Sequence, residues 1–219
     1  MFRLSPRQSY SPAETFSDLI VHVSGTSLAV VGAPVLIFLA VWLHGSGTAV
    51  ASTTVYGVTL VAMLVCSALY NTIGQRRFGA VLKRLDHSAI YTKIAGTYTP
   101  LGLMTGGHGA GLVAALWVMA FAGMVLKMLA PDRLRWIGLT LYILMGWAGV
   151  FAGGDMIADL SMPVFVLVLT GGLIYTAGVG LYLFERLPFH YTLWHVCVLA
   201  ATMSLYAAIT VHLVQTAPA

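Results

Sequence analysis

The sequence predicts an all-α integral membrane protein: a bundle of seven transmembrane helices with its N-terminus in the cytoplasm and its C-terminus outside. Three observations predict it. Charge is scarce, since only 8% of the residues are Asp, Glu, Lys or Arg while 59% are hydrophobic, against about 25% charged in an ordinary soluble domain. Seven apolar runs are each of membrane-crossing length, which takes about 20 helical residues and exceeds the roughly ten-residue strands of a membrane barrel. The basic residues fall into alternate connections between those runs, as the positive-inside rule requires.

The elements follow in order. Residues 1–18 are polar, carry no apolar run and are expected to be a short cytoplasmic tail rather than a cleavable signal. Spans are expected over 19–43, 48–73, 87–104, 110–130, 134–152, 162–184 and 189–214, making one membrane domain over 19–214, with 215–219 as a C-terminal tail. Several connections are only about five residues long, so consecutive helices must be antiparallel neighbours. Arg3 and Arg7 precede the first span. Arg76, Arg77, Lys83 and Arg84 lie between the second and third, Lys127, Arg133 and Arg135 flank the fourth connection, and Arg186 lies in the sixth. The connections 45–47, 105–109 and 153–161 and the C-terminal tail carry no Lys or Arg. The formal charge of +4 therefore reflects membrane topology, with contact to anionic lipid as its other consequence; it is no sign of nucleic acid, and membrane lipids are the expected partners. The location this predicts is the cell (inner) membrane.

Cys66 and Cys197 fall inside spans without any CxxC spacing and read as packing residues. Gly149 and Gly153 have the four-residue spacing that could let helices approach, but among 23 glycines coincidence is the expected reading. No internal repeat suggests the inverted halves of a transporter.

Polar residues converge on one layer. Ser67 and Asn71 lie near the cytoplasmic end of the second span, Asp86 and His87 at the start of the third, and His190, Tyr191 and His195 at the start of the seventh. Ser67 and Asn71 are four apart and share a helix face, as do Tyr191 and His195. A charge at membrane depth costs about 2.5 to 3.5 kcal/mol on insertion scales, so such residues are rare in spans and usually paired or functional. A buried metal or proton site needs a polar cluster of this kind.

The segments SALYN (67–71), RLDHSAIYTKIAGTYTP (84–100), YILMGW (142–147), GGLIYTAGVGLY (171–182) and LPFHYTLWHVCVLA (187–200), together with His22 and Gly25, resemble the hemolysin III group, bacterial relatives of the progestin and adipoQ receptors. The resemblance implies a seven-helix fold with its N-terminus inside. It also implies a zinc ion near the cytoplasmic surface, held by one histidine ending a Ser-x-x-x-His motif on the second helix and two in a His-x-x-x-His motif on the seventh. Asp86 matches an aspartate expected close to the metal-bound water, where it would orient that water or shuttle its proton for attack on a lipid amide or ester. Asp86 and Ser67 are on that basis the candidate catalytic residues.

At the ligand positions the chain departs from the pattern. Asn71 stands where the second-helix histidine is expected and Tyr191 where the first seventh-helix histidine is expected, leaving His195 as the one retained ligand. His190 is five residues from His195, about 500° of rotation, so the two point roughly 140° apart. An amide oxygen and a neutral phenol are poor zinc ligands, and a family-type zinc site is expected to be weak or absent. Lys93, about 10 Å along the third helix from Asp86, either replaces the metal's charge by pairing with Asp86 or another bundle-facing acceptor, or snorkels to the headgroups.

Other polar residues carry plainer expectations. Asp155 and Asp159 are four apart near the outer surface and could bind a cation, but a solvated loop or helix end is the expected reading. His22 and His87 are expected to pack within the bundle, while His108 and His212 are expected at the outer interface. Pro100 frees a backbone carbonyl that a nearby threonine can satisfy. Three functions fit: a membrane protein of lipid homeostasis or sensing with an altered metal site, a zinc-dependent lipid amide or ester hydrolase, or a cytolytic pore.

Overall fold

The computed structural model describes residues 11–73, 78–129 and 135–218, all of whose regular structure is helical. In chain order the helices are α1 (Pro12–Leu43), α2 (Gly47–Thr72), α3 (Gly79–Leu103), α4 (Ala110–Leu129), α5 (Arg135–Ala152), a short α6 (Gly154–Ala158), α7 (Met162–Leu183) and α8 (His190–Gln215). The seven longer helices match the seven expected runs, and α6 lies in the connection expected over 153–161. Five of them, α1, α2, α4, α7 and α8, are long and apolar enough to cross a membrane. Helix α3 carries Lys83, Arg84, Asp86 and Lys93, and the apolar stretch of α5 is short. Large apolar side chains such as Trp42, Phe121 and Phe151 point outward from the bundle, which is the surface that lipid, and not water, would cover. Of the residues used to assign topology, Arg3, Arg7, Arg76, Arg77 and Arg133 lie outside the described residues, as do the span-edge positions Ala130 and Leu134.

Helix α1 begins seven residues before the expected first span, and the cause is local. The Ser11 side chain accepts from the Glu14 backbone N–H at 3.2 Å, and the Glu14 carboxylate accepts from the Ser11 N–H at 2.8 Å. This reciprocal capping box satisfies two of the N–H groups a helix start leaves open, and Pro12 in the first turn lacks an N–H to satisfy. The polar stretch 12–18 is thus the first two turns of a helix whose remaining length is apolar. It is tied to the start of α8: the Phe189 N–H donates to Glu14 Oε1 at 3.0 Å, and the Ser17 and Thr192 hydroxyls meet at 3.2 Å. Farther along the same seam, Gly25 lies against Leu199, and the Tyr206 hydroxyl donates to the Gly32 carbonyl at 2.9 Å.

Helix α3 is the buried centre, with nearly every residue from Ser88 to Gly102 packed inside. It packs against α2, α4, α5 and α8. Glycines make those approaches. A Cβ on Gly96 would collide with Thr59 of α2, one on Gly123 of α4 with the Tyr91 ring, and one on Gly149 of α5 with Tyr98 at 2.5 Å. Gly149 is therefore a contact residue and no coincidence: its N–H donates to the Tyr98 hydroxyl at 3.1 Å, which itself donates to the Gly146 carbonyl at 2.6 Å. Gly153, in contrast, faces its own helix at the Gly149 carbonyl. Thr99 bonds the Ala95 carbonyl at 2.9 Å, one position before the carbonyl that Pro100 frees, and accepts from Trp117 Nε1 at 3.1 Å. Cys66 and Cys197 are free and partly buried.

Candidate functional site

At the end of the bundle where α1, α3 and α8 start and α2 finishes, a cavity of about 200 Å³ penetrates between the helices. Its wall is mostly apolar, but it brings together Ser67, Asp86, Lys93, Tyr191 and His195, five of the six residues named from the sequence as candidate catalytic residues, ligand positions or replacement for the metal's charge. Asp86 and His195 are buried, at 7% exposure each. Asn71, the sixth, is not on that wall; its Nδ2 donates to the Ser67 carbonyl one turn back at 2.9 Å.

Lys93 is 3% exposed, so it does not snorkel to the headgroups. Its Nζ donates to the Tyr175 hydroxyl at 3.2 Å, and the Tyr175 and Thr202 hydroxyls are 2.7 Å apart. A bundle-facing acceptor on α7 is therefore its partner, and one chain of bonds joins α3, α7 and α8. Lys127, also buried, lies on the same cavity wall. The mostly apolar cavity wall thus carries two lysines and one aspartate.

The retained histidine has partners that the sequence did not suggest. His195 Nδ1 meets Asp18 Oδ1 at 2.5 Å, and Asp18 Oδ2 lies 3.4 Å from His22 Nε2. The two imidazoles are edge to face with centroids 4.3 Å apart. Asp18 and His22 are four apart on α1, which places them on one face, and the α1–α8 seam sets that face against His195. The Tyr191 ring lies edge-on to His195, 4.7 Å between centroids. His22, expected to pack, belongs to this charged cluster. Asp18 was not anticipated; the signals that could have found it were the Ser11-x-x-Glu14 box and the Asp18–His22 spacing, which extend the helix back past residue 18.

The expected three-ligand zinc set does not fit this chain. Asn71 turns its amide back onto its own helix, and a phenol and an amide are weak donors beside one imidazole. His190 is buried but is not among the metal-ligating atoms near His195.

At the opposite end, His108, expected at the outer interface, donates from Nδ1–H to the Asp159 carboxylate at 2.6 Å, joining the 104–109 connection to the α6 region. The hydrogen bond and the charge of Asp159 raise the His108 pKa above the ordinary histidine range. His212, also expected at that interface, is buried in α8. His87 lines the cavity, and its carbonyl accepts from the Tyr142 hydroxyl at 2.8 Å.

Apolar spans, a charged central helix and a polar-ended cavity define an all-helical multi-pass membrane protein. The family model described as "Haemolysin-III related" matches residues 12–206, and the chain belongs to that family. It is 32% identical over 206 residues to the Hemolysin-3 homolog of Bacillus subtilis (strain 168), covering 92% of this chain and 95% of the relative. It is 34% identical over 208 residues to Hemolysin-3 of Bacillus cereus, covering 93% and 94%. A more distant likeness, 26% over 165 residues and 71% and 67% of the two chains, is to the Monocyte to macrophage differentiation factor of Homo sapiens.

Proposed function

We propose that this protein is a seven-span protein of the cell membrane, N-terminus inside and C-terminus outside, that senses or maintains membrane lipid by admitting an acyl lipid to the cavity. The observation that carries the proposal is the cavity itself: an apolar space within a membrane-type bundle, with Asp86, Lys93 and Lys127 on its wall. An acyl chain matches the apolar wall, and a polar headgroup or carboxylate matches the ionisable side chains set into it. The topology is supported by the separation, along the sequence, of connections that carry Lys and Arg from those that carry neither.

A photoactivatable phospholipid reconstituted with the protein tests this. Labelling should fall on α3 and α7 residues of the cavity wall, such as Ile94 and Val168, and be competed by unlabelled lipid. Labelling confined to outward side chains such as Phe121 and Phe151 would refute it. A second function, hydrolysis of a lipid amide or ester, is favoured by one observation: Asp86 and His195 share the cavity wall. Product release from a labelled acyl amide, abolished by Asp86→Asn, is its test.

A further inference from the structure

The three-histidine zinc position does not fit Asn71, Tyr191 and His195, yet His195 stands in another group whose chemistry does suit a metal. Among the described residues, Asp18, His22 and His195 offer one carboxylate oxygen and two imidazole nitrogens, all within 4.8 Å of one another. We infer that this chain holds a divalent transition cation of the zinc class between α1 and α8, on Asp18, His22 and His195, displaced from the position its family resemblance implies.

Four observations converge on this inference. The donor types are right: carboxylate and neutral imidazole are ordinary zinc ligands, and three protein ligands with an open fourth position is a recurring zinc arrangement. The ligands are held before any metal arrives, since Asp18 and His22 sit one turn apart on a capped helix and the Glu14–Phe189 and Ser17–Thr192 bonds fix α1 against α8. His22 Nε2 is buried without a hydrogen bond: Asp18 Oδ2 is 3.4 Å away, within ion-pairing range, but the two do not form a hydrogen bond. A buried nitrogen lone pair or N–H left in that state is unfavourable, and a cation shared with Asp18 and His195 would satisfy it. Finally there is a way in, because Asp18 keeps 16% of its side chain accessible while the two histidines are nearly enclosed.

Asn71 and Tyr191 take two imidazoles away from the α2–α8 position, and Asp18 with His22 supplies a carboxylate and an imidazole on the other side of His195. The inference does not depend on the lipid that occupies the cavity, because it concerns only which side chains bind the ion.

The test is metal binding by the full chain purified in detergent after removal of any polyhistidine tag, with zinc quantified by mass spectrometry and cobalt(II) as a visible-absorption probe. The wild type should retain about one zinc per chain, and cobalt should give the intense visible bands of a four-coordinate ion. Asp18→Asn and His22→Gln should each lower occupancy at least about tenfold, in line with losing a ligand rather than an outer partner. Asp18→His, which restores a donor, should keep the ion even if Asp18→Asn folds poorly. Asn71→Leu and Tyr191→Phe should leave zinc content and cobalt bands as in the wild type. A wild type that binds neither metal overturns the inference. So does zinc retained in Asp18→Asn and His22→Gln but lost in Asn71→Leu or Tyr191→Phe, which would put the ion at the α2–α8 position.

Discussion

The start of α3 and the start of α1 are both helix ends that carry acid and histidine into the bundle, and they differ in how they do it. On α3, Asp86 and Lys93 are charges inside an apolar run, buried on the wall of a cavity and linked through Lys93 to the Tyr175 and Thr202 hydroxyls. On α1, Asp18 closes the polar opening turns and His22 lies one turn farther, in the apolar stretch; both face His195 across a seam closed by Glu14, Ser17 and Thr192. The α3 charges are arranged around space, which suits a ligand with an acyl chain. The α1 charges are arranged around a point, which suits an ion. Among the described residues the two regions share only His195, which belongs to the cluster and to the cavity wall at once.

The largest expected effect comes from exchanging the two positions. Adding Asn71→His and Tyr191→His to an Asp18→Asn chain should restore at least about tenfold stronger zinc binding, through imidazoles on α2 and α8. Zinc titration of that triple variant against Asp18→Asn measures it; no recovery would mean that the α2–α8 position is no longer shaped for a metal. Next comes the α3 network. Tyr175→Phe leaves the buried Lys93 without its hydroxyl acceptor and should cost about 1 to 3 kcal/mol, read as a lowered melting transition in detergent. Adding Lys93→Met to Tyr175→Phe should recover most of that loss, because the group needing a partner is gone. If the double variant is no more stable than Tyr175→Phe, Lys93 does not depend on that bond.

The smallest effect is at the far end, where neither region reaches. The Asp159 carboxylate raises the His108 pKa, so the folded state binds that proton more tightly than the unfolded chain does. The His108–Asp159 contact therefore contributes fully below the ordinary histidine pKa, near 6.5, and its contribution is lost as pH rises through the raised value. Asp159→Asn should return His108 to ordinary titration by NMR, with no change in metal content.

The different legibility of the two regions has a physical cause. A charge in an apolar run is an anomaly that sequence displays, so Asp86 and Lys93 stand out without coordinates; Ser67 and His195 are named through the motifs that resemble the family, and the seven long helices begin or end within a few residues of the expected spans at most boundaries. Asp18 sits where polar residues are unremarkable, and hydropathy starts the span at residue 19 although the capping box starts the helix at Pro12. Its partner His195 is 177 positions away in sequence, and nothing in local pattern pairs residues across that distance. The partner of Lys93 was equally hidden: that it needed an acceptor follows from burial, but that Tyr175 supplies it depends on how α7 packs beside α3 and α8. Gly149 shows the same limit, since its four-residue spacing from Gly153 carried no information and its contact with Tyr98 did.

The displaced metal position is tested most directly by crystals of the zinc-loaded protein measured on either side of the zinc absorption edge. The account predicts one anomalous peak between α1 and α8, about 2.0 to 2.2 Å from donor atoms of Asp18, His22 and His195. A peak bounded by α2 and α8 beside Asn71 and Tyr191, or no peak in zinc-loaded crystals, would contradict it.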